Sequence, residues 1–377
     1  MRIAIDIRRI NEFGVGTYTR NAIRSLARLD HGTEYFLLGI PGRLGEIEPL
    51  PPNFITVPTH PNDFSLNSYL ELHRILKSHR CDLLHVPHLF WKPQAIPCPY
   101  VVTVHDLLDH LYRVNSASSV QRWLHFRFTR RVLHSAARIF AVSNFSKQDT
   151  QRVFRVPGDK IEVIYNALDD RFRLGHATDT DRKLIAERYQ VTYPFLLYAG
   201  RISPHKNVVR IIEAFSALKA ELKKDGRYPD LKLIIIGDEL AKHPDLRRAV
   251  IRSRVQNDVR FLGFVPIGVL RIFYDLAKIF VFPSLYEGFG LPPLEAMAHG
   301  TPVVTSNTSS IPEVVGDAAV MVNPENVFEI MHALHRVLLD QTVRDKLKAR
   351  GVLQAQRFSW DDSVRRMLTV YHEVVQR

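Results

Sequence analysis

Two cysteines in 377 residues, Cys81 and Cys98, without C-x-x-C spacing, indicate neither a disulfide framework nor a cysteine-built zinc site. A reducing cytoplasm is the expected location. Long apolar runs are missing too, since no stretch approaches the roughly 20 residues a membrane-spanning helix needs. The opening MRIAIDIRRI is interrupted by Asp6 and lacks a small-residue cleavage site, so it is expected to be a buried strand rather than a signal peptide. Acidic residues are the minority charge: 39 Asp and Glu face 51 Lys and Arg, a net charge of +12 that favours phosphates, acidic polymers or anionic lipid headgroups. No helix-turn-helix, zinc-finger or RNA-recognition signature accompanies that charge, so no nucleic-acid partner is expected. The 46% hydrophobic and 24% charged content is that of a compact globular chain, long enough for two domains.

What is present is an alternation of short β-rich runs with helix-length segments. Candidate strands in the first half are 3–7, 35–38, 83–86, 100–103, 138–142 and 161–164. Most are followed by Gly, Pro, Asn or Asp, a rhythm that implies parallel βαβ units. A polar stretch from Asp169 to Asp181 breaks the rhythm, and the pattern restarts with FLLYAG, LKLIIIGD, VRFLGFV, IFVFPS, TPVVTS and AAVMV. The expected organisation is a first α/β domain over 1–175, a second over 176–357, and a closing helix over 358–377 that returns to the first. That helix carries Trp360, Val364, Met367, Leu368, Tyr371 and Val374/Val375 near helical spacing.

The most informative segment is YEGFGLPPLEAMAHGTPVV, Tyr286 to Val304. A strand ends before it, a turn holds Gly288 and Gly290, and Pro292/Pro293 suit the first positions of a helix. The backbone N–H groups and positive dipole end of such a helix make an anion site suited to a diphosphate. Glu287 in the loop and Glu295 in the expected first helical turn could each bind vicinal hydroxyls. Either carboxylate alone would read as a dipole partner or a solvated loop charge. Upstream, Arg201 and Lys206 follow the strand ending at Gly200, which brings two cations to a C-terminal strand edge, where open α/β sheets bind ligands. They could hold a diphosphate and stabilise the charge that grows as it leaves, without a metal.

The run EGFGLPPLE preceded by GRISPHK resembles the family 4 retaining glycosyltransferases (glycosyltransferase group 1) of GT-B fold. Further similar blocks are Gly14-Val15-Gly16-Thr17-Tyr18, Thr103 to Asp106, Val142 to Ser146, Val163 to Asn166 and Ile311 to Ala319, so the resemblance covers nearly the whole chain. It implies two doubly wound Rossmann-like domains with a cleft between them. It further implies that Arg201 and Lys206 bind the donor pyrophosphate, Glu295 the nucleotide ribose and Glu287 the transferred sugar. Backbone amides of Gly288, Phe289, Gly290 and Leu291 would hold sugar hydroxyls and phosphate. The Gly14 and Gly16 loop would approach the donor, and His105 would hydrogen-bond near the sugar. Two departures stand out: Asn207 and Ala167 occupy positions where the family often has glycine. The Gly14 turn also lacks the third glycine of a dinucleotide fingerprint.

The expected reaction is retaining transfer of a hexose to a hydroxyl of a glycan or lipid-linked acceptor, with no cofactor and no metal. The donor is a nucleoside diphosphate sugar, GDP-mannose or a UDP-sugar, with mannose mildly preferred from similarity to mannosyltransferases of polysaccharide assembly. Backbone near 261–265 would hold the base. The alternatives are a catalytically inactive nucleotide-sugar-binding or scaffold protein, or a GT-B epimerase or phosphorylase. From His110 to Gln148 there is no Asp or Glu, while Arg113, Arg122, Arg127, Arg130, Arg131, Arg138 and Lys147 all fall inside. Arg127, Arg131, His134 and Arg138, beside Trp123, Phe126, Leu133 and Ala137, suit three uses: docking on an anionic inner membrane face, a pyrophosphate-linked acceptor, or a plain solvated helix face.

Overall fold

The computed structural model describes residues 1–12, 14–40, 42, 47, 49–60, 66–89, 96–111, 118–173 and 175–376, with backbone alone at 66–69 and 173. Arg113 lies outside them. The chain divides into two compact units, Met1–Ala167 with Ser359–Arg377, and Leu168–Phe358.

The first unit runs β1 (Arg2–Asp6), α1 (Val15–Leu29), β2 (Glu34–Gly39), β3 (Phe54–Pro58), α2 (Leu66–Ser78), β4 (Leu83–Val86), β5 (Tyr100–Val104), α3 (Leu108–Leu111), α4 (Ser119–Ser135), β6 (Arg138–Ala141), α5 (Asn144–Phe154) and β7 (Ile161–Val163). The strands form one parallel sheet in the order β3-β2-β1-β4-β5-β6-β7. Strand β3 has no counterpart among the sequence-based candidates. It is an edge strand, FITVP, of which only Phe54 is buried, and Pro51, Pro52 and Pro58 around it carry the pattern of a loop.

The second unit contains α6 (Asp179–Tyr189), β8 (Phe195–Ala199), α7 (Val208–Lys224), β9 (Lys232–Ile236), α8 (Pro244–Arg252), β10 (Val259–Gly263), α9 (Ile267–Leu276), β11 (Ile279–Phe282), α10 (Leu291–Ala298), β12 (Val303–Ser306), α11 (Ile311–Val315), β13 (Val320–Val322), α12 (Val327–Leu339) and α13 (Gln341–Gln356). Its parallel sheet has the order β10-β9-β8-β11-β12-β13. All six apolar runs of the second half are strands, and β8, β11 and β12 are buried along their whole length. Winding reverses between β1 and β4 in the first sheet and between β8 and β11 in the second. Crossovers depart to opposite faces at such a point, leaving a crevice outside the strand ends.

The unit boundary falls before Leu168, upstream of the expected 175/176. Residues 168–173 belong to the second core because Phe172 packs edge-on against Tyr274 and His299. The last helix, α14 (Trp360–Val375), belongs to the first unit, where it packs on α1 and β4. Ser359 caps it by accepting from the Asp362 N–H, and Trp360, Val364, Met367, Val370, Tyr371 and Val374 are its buried stripe. Tyr371 donates to His85 Nδ1 at 2.6 Å, and His85 Nε2 lies 2.9 Å from Thr103 Oγ1. The helix is therefore tied to the middle of the sheet by a buried polar chain.

At the end of β1 the Arg8 guanidinium binds the Asp6 carboxylate through Nε (2.9 Å) and Nη2 (2.5 Å), both side chains being buried. Burial alone would raise the Asp6 pKa, but the Arg8 hydrogen bonds and charge outweigh it and hold the carboxyl below its ordinary 3.8. Asp6→Ala should cost about 3 kcal/mol, because it strips a buried cation of its bidentate partner. Thermal melts at neutral pH should show a Tm lower by roughly 5–10 °C. The contribution is complete above the ordinary carboxylate pKa and fades as pH falls through the lowered one, so the deficit should shrink in acid.

Candidate active site

The loops that leave β8 and β11 are neighbours because those strands pair directly across the reversal point. After β8 the chain passes Gly200 (φ 149°), whose carbonyl oxygen would lie 2.3 Å from a Cβ at Gly237, so the two backbones touch. A short 3-10 turn, Pro204–Lys206, follows, and Asn207 adopts a left-handed conformation with φ 62°. Asparagine tolerates that region better than most residues with a Cβ, and here its side chain is also used. Nδ2 donates to the carbonyls of Pro283 (3.0 Å) and Pro324 (2.7 Å). Asn207 thus meets the backbone demand where a glycine is common, and it pins the β8 loop to the β11 loop. The His205 carbonyl strengthens the junction by accepting from the Leu285 N–H (2.7 Å) and Ser284 Oγ (3.1 Å).

This junction places Lys206 Nζ 2.6 and 2.7 Å from the two carboxylate oxygens of Glu287. Their side chains are 15% and 11% exposed, so the pair sits largely out of water. Nζ also lies 5.2 Å from the centre of the Phe282 ring. Glu287 is held through its backbone: its N–H donates to Ser309 Oγ (3.1 Å) and its carbonyl accepts from Ser310 Oγ (2.9 Å). Arg201 differs, being exposed, with no ion pair or hydrogen bond from its side chain among the described residues. The two cations expected to act together are therefore unlike: one is neutralised by a carboxylate and one is open to an anion.

Beyond Glu287 the turn reaches Gly290 (φ 114°), where a Cβ would approach Ile311 Cδ1 to 2.6 Å. Helix α10 starts at Leu291 with no side-chain cap. Pro292 and Pro293 carry no N–H, so the donors at this helix start are the amides of Gly290 and Leu291. The Phe289 side chain is buried edge-on against Phe358, and its carbonyl accepts from Ser310 Oγ at 2.7 Å. Glu295 lies one turn deeper than expected, since no acidic residue occupies the first turn. Its Oε2 accepts from Tyr274 Oη at 2.8 Å. Burial drives its pKa up to about 7, Tyr274 opposes the shift, and nearby Asp169 adds to it.

The first unit holds the other expected residues. Gly14 (φ 71°) caps α1 with open space around it, whereas a Cβ at Gly16 would lie 2.2 Å from the Ile10 carbonyl oxygen. Gly16 thus has a local packing reason, and Gly14 has a conformational one. His105 Nε2 lies 2.8 Å from the Pro87 carbonyl. A carbonyl only accepts, so Nε2 carries the proton and Nδ1 is an acceptor. Burial lowers the His105 pKa to about 4, so the ring is neutral near pH 7. Tyr18 stands edge-on to it, ring centres 5.0 Å apart.

With both strand-end sites described, comparison with known families is decisive. The Glycosyltransferase Family 4 model matches residues 14–172, and the Glycosyl transferases group 1 model matches residues 180–353. The chain belongs to the family 4, group 1 glycosyltransferases. The chain is 35% identical to O-antigen chain mannosyltransferase B of Escherichia coli over 250 residues, 65% of this chain and 64% of that protein. It is 30% identical to the serotype-specific mannosyltransferase WbdA of Escherichia coli over 286 residues, 74% of this chain and 34% of that one. The chain thus spans less than two thirds of the length of each. Among solved structures, Anabaena HepE in complex with UDP-glucose superposes with a TM-score of 0.77 at 18% identity, covering 98% of this chain and 100% of that one. WaaG, a glycosyltransferase involved in lipopolysaccharide biosynthesis, gives 0.71 at 16% identity, covering 98% and 99%. The fold of the chain is GT-B, with two Rossmann-like parallel-sheet units.

Sequence reasoning missed Tyr274, the partner of Glu295, and the ring cluster behind it. His299 stacks on Tyr274 and Phe172 closes edge-on over both. Nothing local marks them, because they arrive from α9, the end of α10 and the segment after the unit boundary. Among the described residues no group of three or more His, Cys, Asp or Glu side chains could hold a metal ion.

A carboxyl whose folded pKa is raised opposes folding once it ionises. For Glu295 that penalty is absent below about pH 4.5, grows up to pH 7 and is complete above it. Glu295→Gln keeps an acceptor for Tyr274 and cannot ionise. Its Tm should exceed the parent's at about pH 8, by an equivalent of about 3 kcal/mol, and match it at about pH 4. A deficit at about pH 8 that disappears at about pH 4 would show that ionised Glu295 is stabilising.

Proposed function

We propose that the protein is a retaining hexosyltransferase that moves a sugar, with mannose favoured, from a nucleoside diphosphate donor to a hydroxyl of a glycan or lipid-linked acceptor. The observation that carries this reading is the Lys206–Glu287 pair at the strand-order reversal, flanked by the open Arg201 and the amide donors of Gly290 and Leu291. The mannosyltransferase names of its relatives support the sugar, and the O-antigen chain named for one of them supports polysaccharide assembly as the context.

In this reading Arg201 and the amides of the β11 loop bind the diphosphate, and Lys206 shifts part of its charge from Glu287 to the departing phosphate. Glu287 then accepts hydrogen bonds from sugar hydroxyls, and Glu295 holds the ribose. His105, neutral with Nδ1 as acceptor, bonds a hydroxyl of the transferred sugar and does not serve as a base. The bond from the anomeric carbon to the phosphate oxygen breaks with its electron pair going to the nucleoside diphosphate. The acceptor oxygen bonds the same face of that carbon, and its proton passes to the leaving phosphate. The cations stabilise departure without a metal or cofactor, and positioning supplies the remainder.

A thermal-shift screen with GDP, UDP, ADP, dTDP and their sugar conjugates, without added metal, should give one clear base preference. With that donor, Glu287→Ala should lower kcat/KM by about 100-fold or more while nucleotide diphosphate affinity stays within a few-fold, since Lys206 is then freed for phosphate. Lys206→Ala should instead weaken nucleotide diphosphate binding by about tenfold. Equal loss of binding and turnover in Glu287→Ala would refute the assigned role, and nucleotide binding with no transfer to any acceptor would favour an inactive binding protein. The product's anomeric configuration, read by NMR, decides retention.

A further inference from the structure

Helix α4 is apolar on two sides. Its inner stripe, Thr129, Val132 and Leu133, is buried with Phe126 packed against the core, which anchors the helix in the first unit. Its outer stripe is Val120, Trp123, Leu124, Arg127, Phe128 and Arg131, at spacings i, i+3, i+4, i+7, i+8 and i+11, one face of a helix. On that face Val120 is 66%, Trp123 55%, Leu124 40% and Phe128 38% exposed, a density of open apolar side chains that no other described element of this chain matches. Arg130 is exposed beside it, and Arg127 lies over the Trp123 ring at 4.7 Å. Arg127, Arg130 and Arg131 have no carboxylate partner among the described residues.

The structure revises the stripe expected from sequence. Leu133 and Phe126 face inward, and Arg138 lies in β6 near Glu373 (3.5 Å). A solvated helix face would show charge of both signs and few aromatic groups. This face shows rings, aliphatic side chains and guanidinium groups alone, in a segment without Asp or Glu from His110 to Gln148. Rings and aliphatic carbons gain by leaving water at the level of lipid headgroups, and arginines beside them remain in contact with phosphate.

We propose that the outer stripe of α4 docks this protein on the surface of an anionic phospholipid bilayer, with Trp123, Leu124 and Phe128 at the headgroup boundary and Arg127, Arg130 and Arg131 on lipid phosphates. The assignment is independent of which sugar is transferred and of whether transfer occurs. An acidic protein would satisfy the charges, but the unbroken convex row of apolar side chains along a surface helix matches a planar interface.

The test is co-sedimentation of the whole chain with phosphatidylcholine vesicles, with and without phosphatidylglycerol. Wild type should bind the anionic vesicles and leave the neutral ones. Arg127→Gln with Arg131→Gln should lower the partition coefficient by roughly tenfold or more. Trp123→Ser with Phe128→Ser should lower it by about tenfold. All four side chains are exposed, so melts should stay near the parent's. Arg247→Gln with Arg248→Gln, an equal charge loss from exposed positions of α8, should change little. Equal binding to both vesicle types overturns the proposal, as does an equal loss from the α8 variant, which would assign binding to net charge. Binding to neither overturns it and makes an acidic protein the better occupant.

Discussion

The ammonium of Lys206 resting on both oxygens of Glu287 is the contact around which the second unit's strand-end site is arranged. Neither group could stay so far out of water alone, since an unpaired ion there would lose its hydration without compensation. Each neutralises the other until a ligand offers a competing charge or hydroxyl. The architecture needed to hold them is extensive: two loops from adjacent parallel strands, an asparagine in a left-handed conformation bridging them, and two serines fixing the backbone of Glu287. A mutual pair is also a reserve of binding groups, because both partners can be redirected without breaking a covalent or packing element.

The charges around it grade from paired to open. Lys206 is neutralised, Arg201 a few residues away is free to take an anion, and Glu295 sits behind a buried tyrosine with a pKa near 7. A group with that pKa is about half protonated near pH 7, so on average it presents less than a full negative charge to phosphate. His105 in the first unit is uncharged, its proton fixed on Nε2 by the Pro87 carbonyl. Net positive charge is thus concentrated on one exposed arginine and on backbone dipoles, a distribution suited to a diphosphate.

The same contrast between paired and open charge recurs within the first unit. Asp6 and Arg8 are locked together in the interior at the end of β1. On α4 the arginines have no acidic neighbours and stand among exposed rings. A bonded, buried ion pair organises backbone; unpaired exposed cations beside apolar side chains are available to an external surface.

The sequence by itself determined the class of fold and the identity of the chemical groups. Apolar runs covered on both faces have an unmistakable local pattern, so twelve of the strands and the glycine-proline turn before α10 were legible in it. Strand β3 was not, because its short run is bounded by Pro51, Pro52 and Pro58 and has the pattern of a loop. The pairing of Lys206 with Glu287, 81 residues apart, depended on which strands became neighbours. Tyr274 beside Glu295, the one-turn displacement of Glu295, and the start of the second unit at Leu168 depended on long-range packing in the same way. Residue type and local periodicity are properties of short segments, whereas strand order, burial and the shift they impose on a carboxyl exist only once distant segments share one interior.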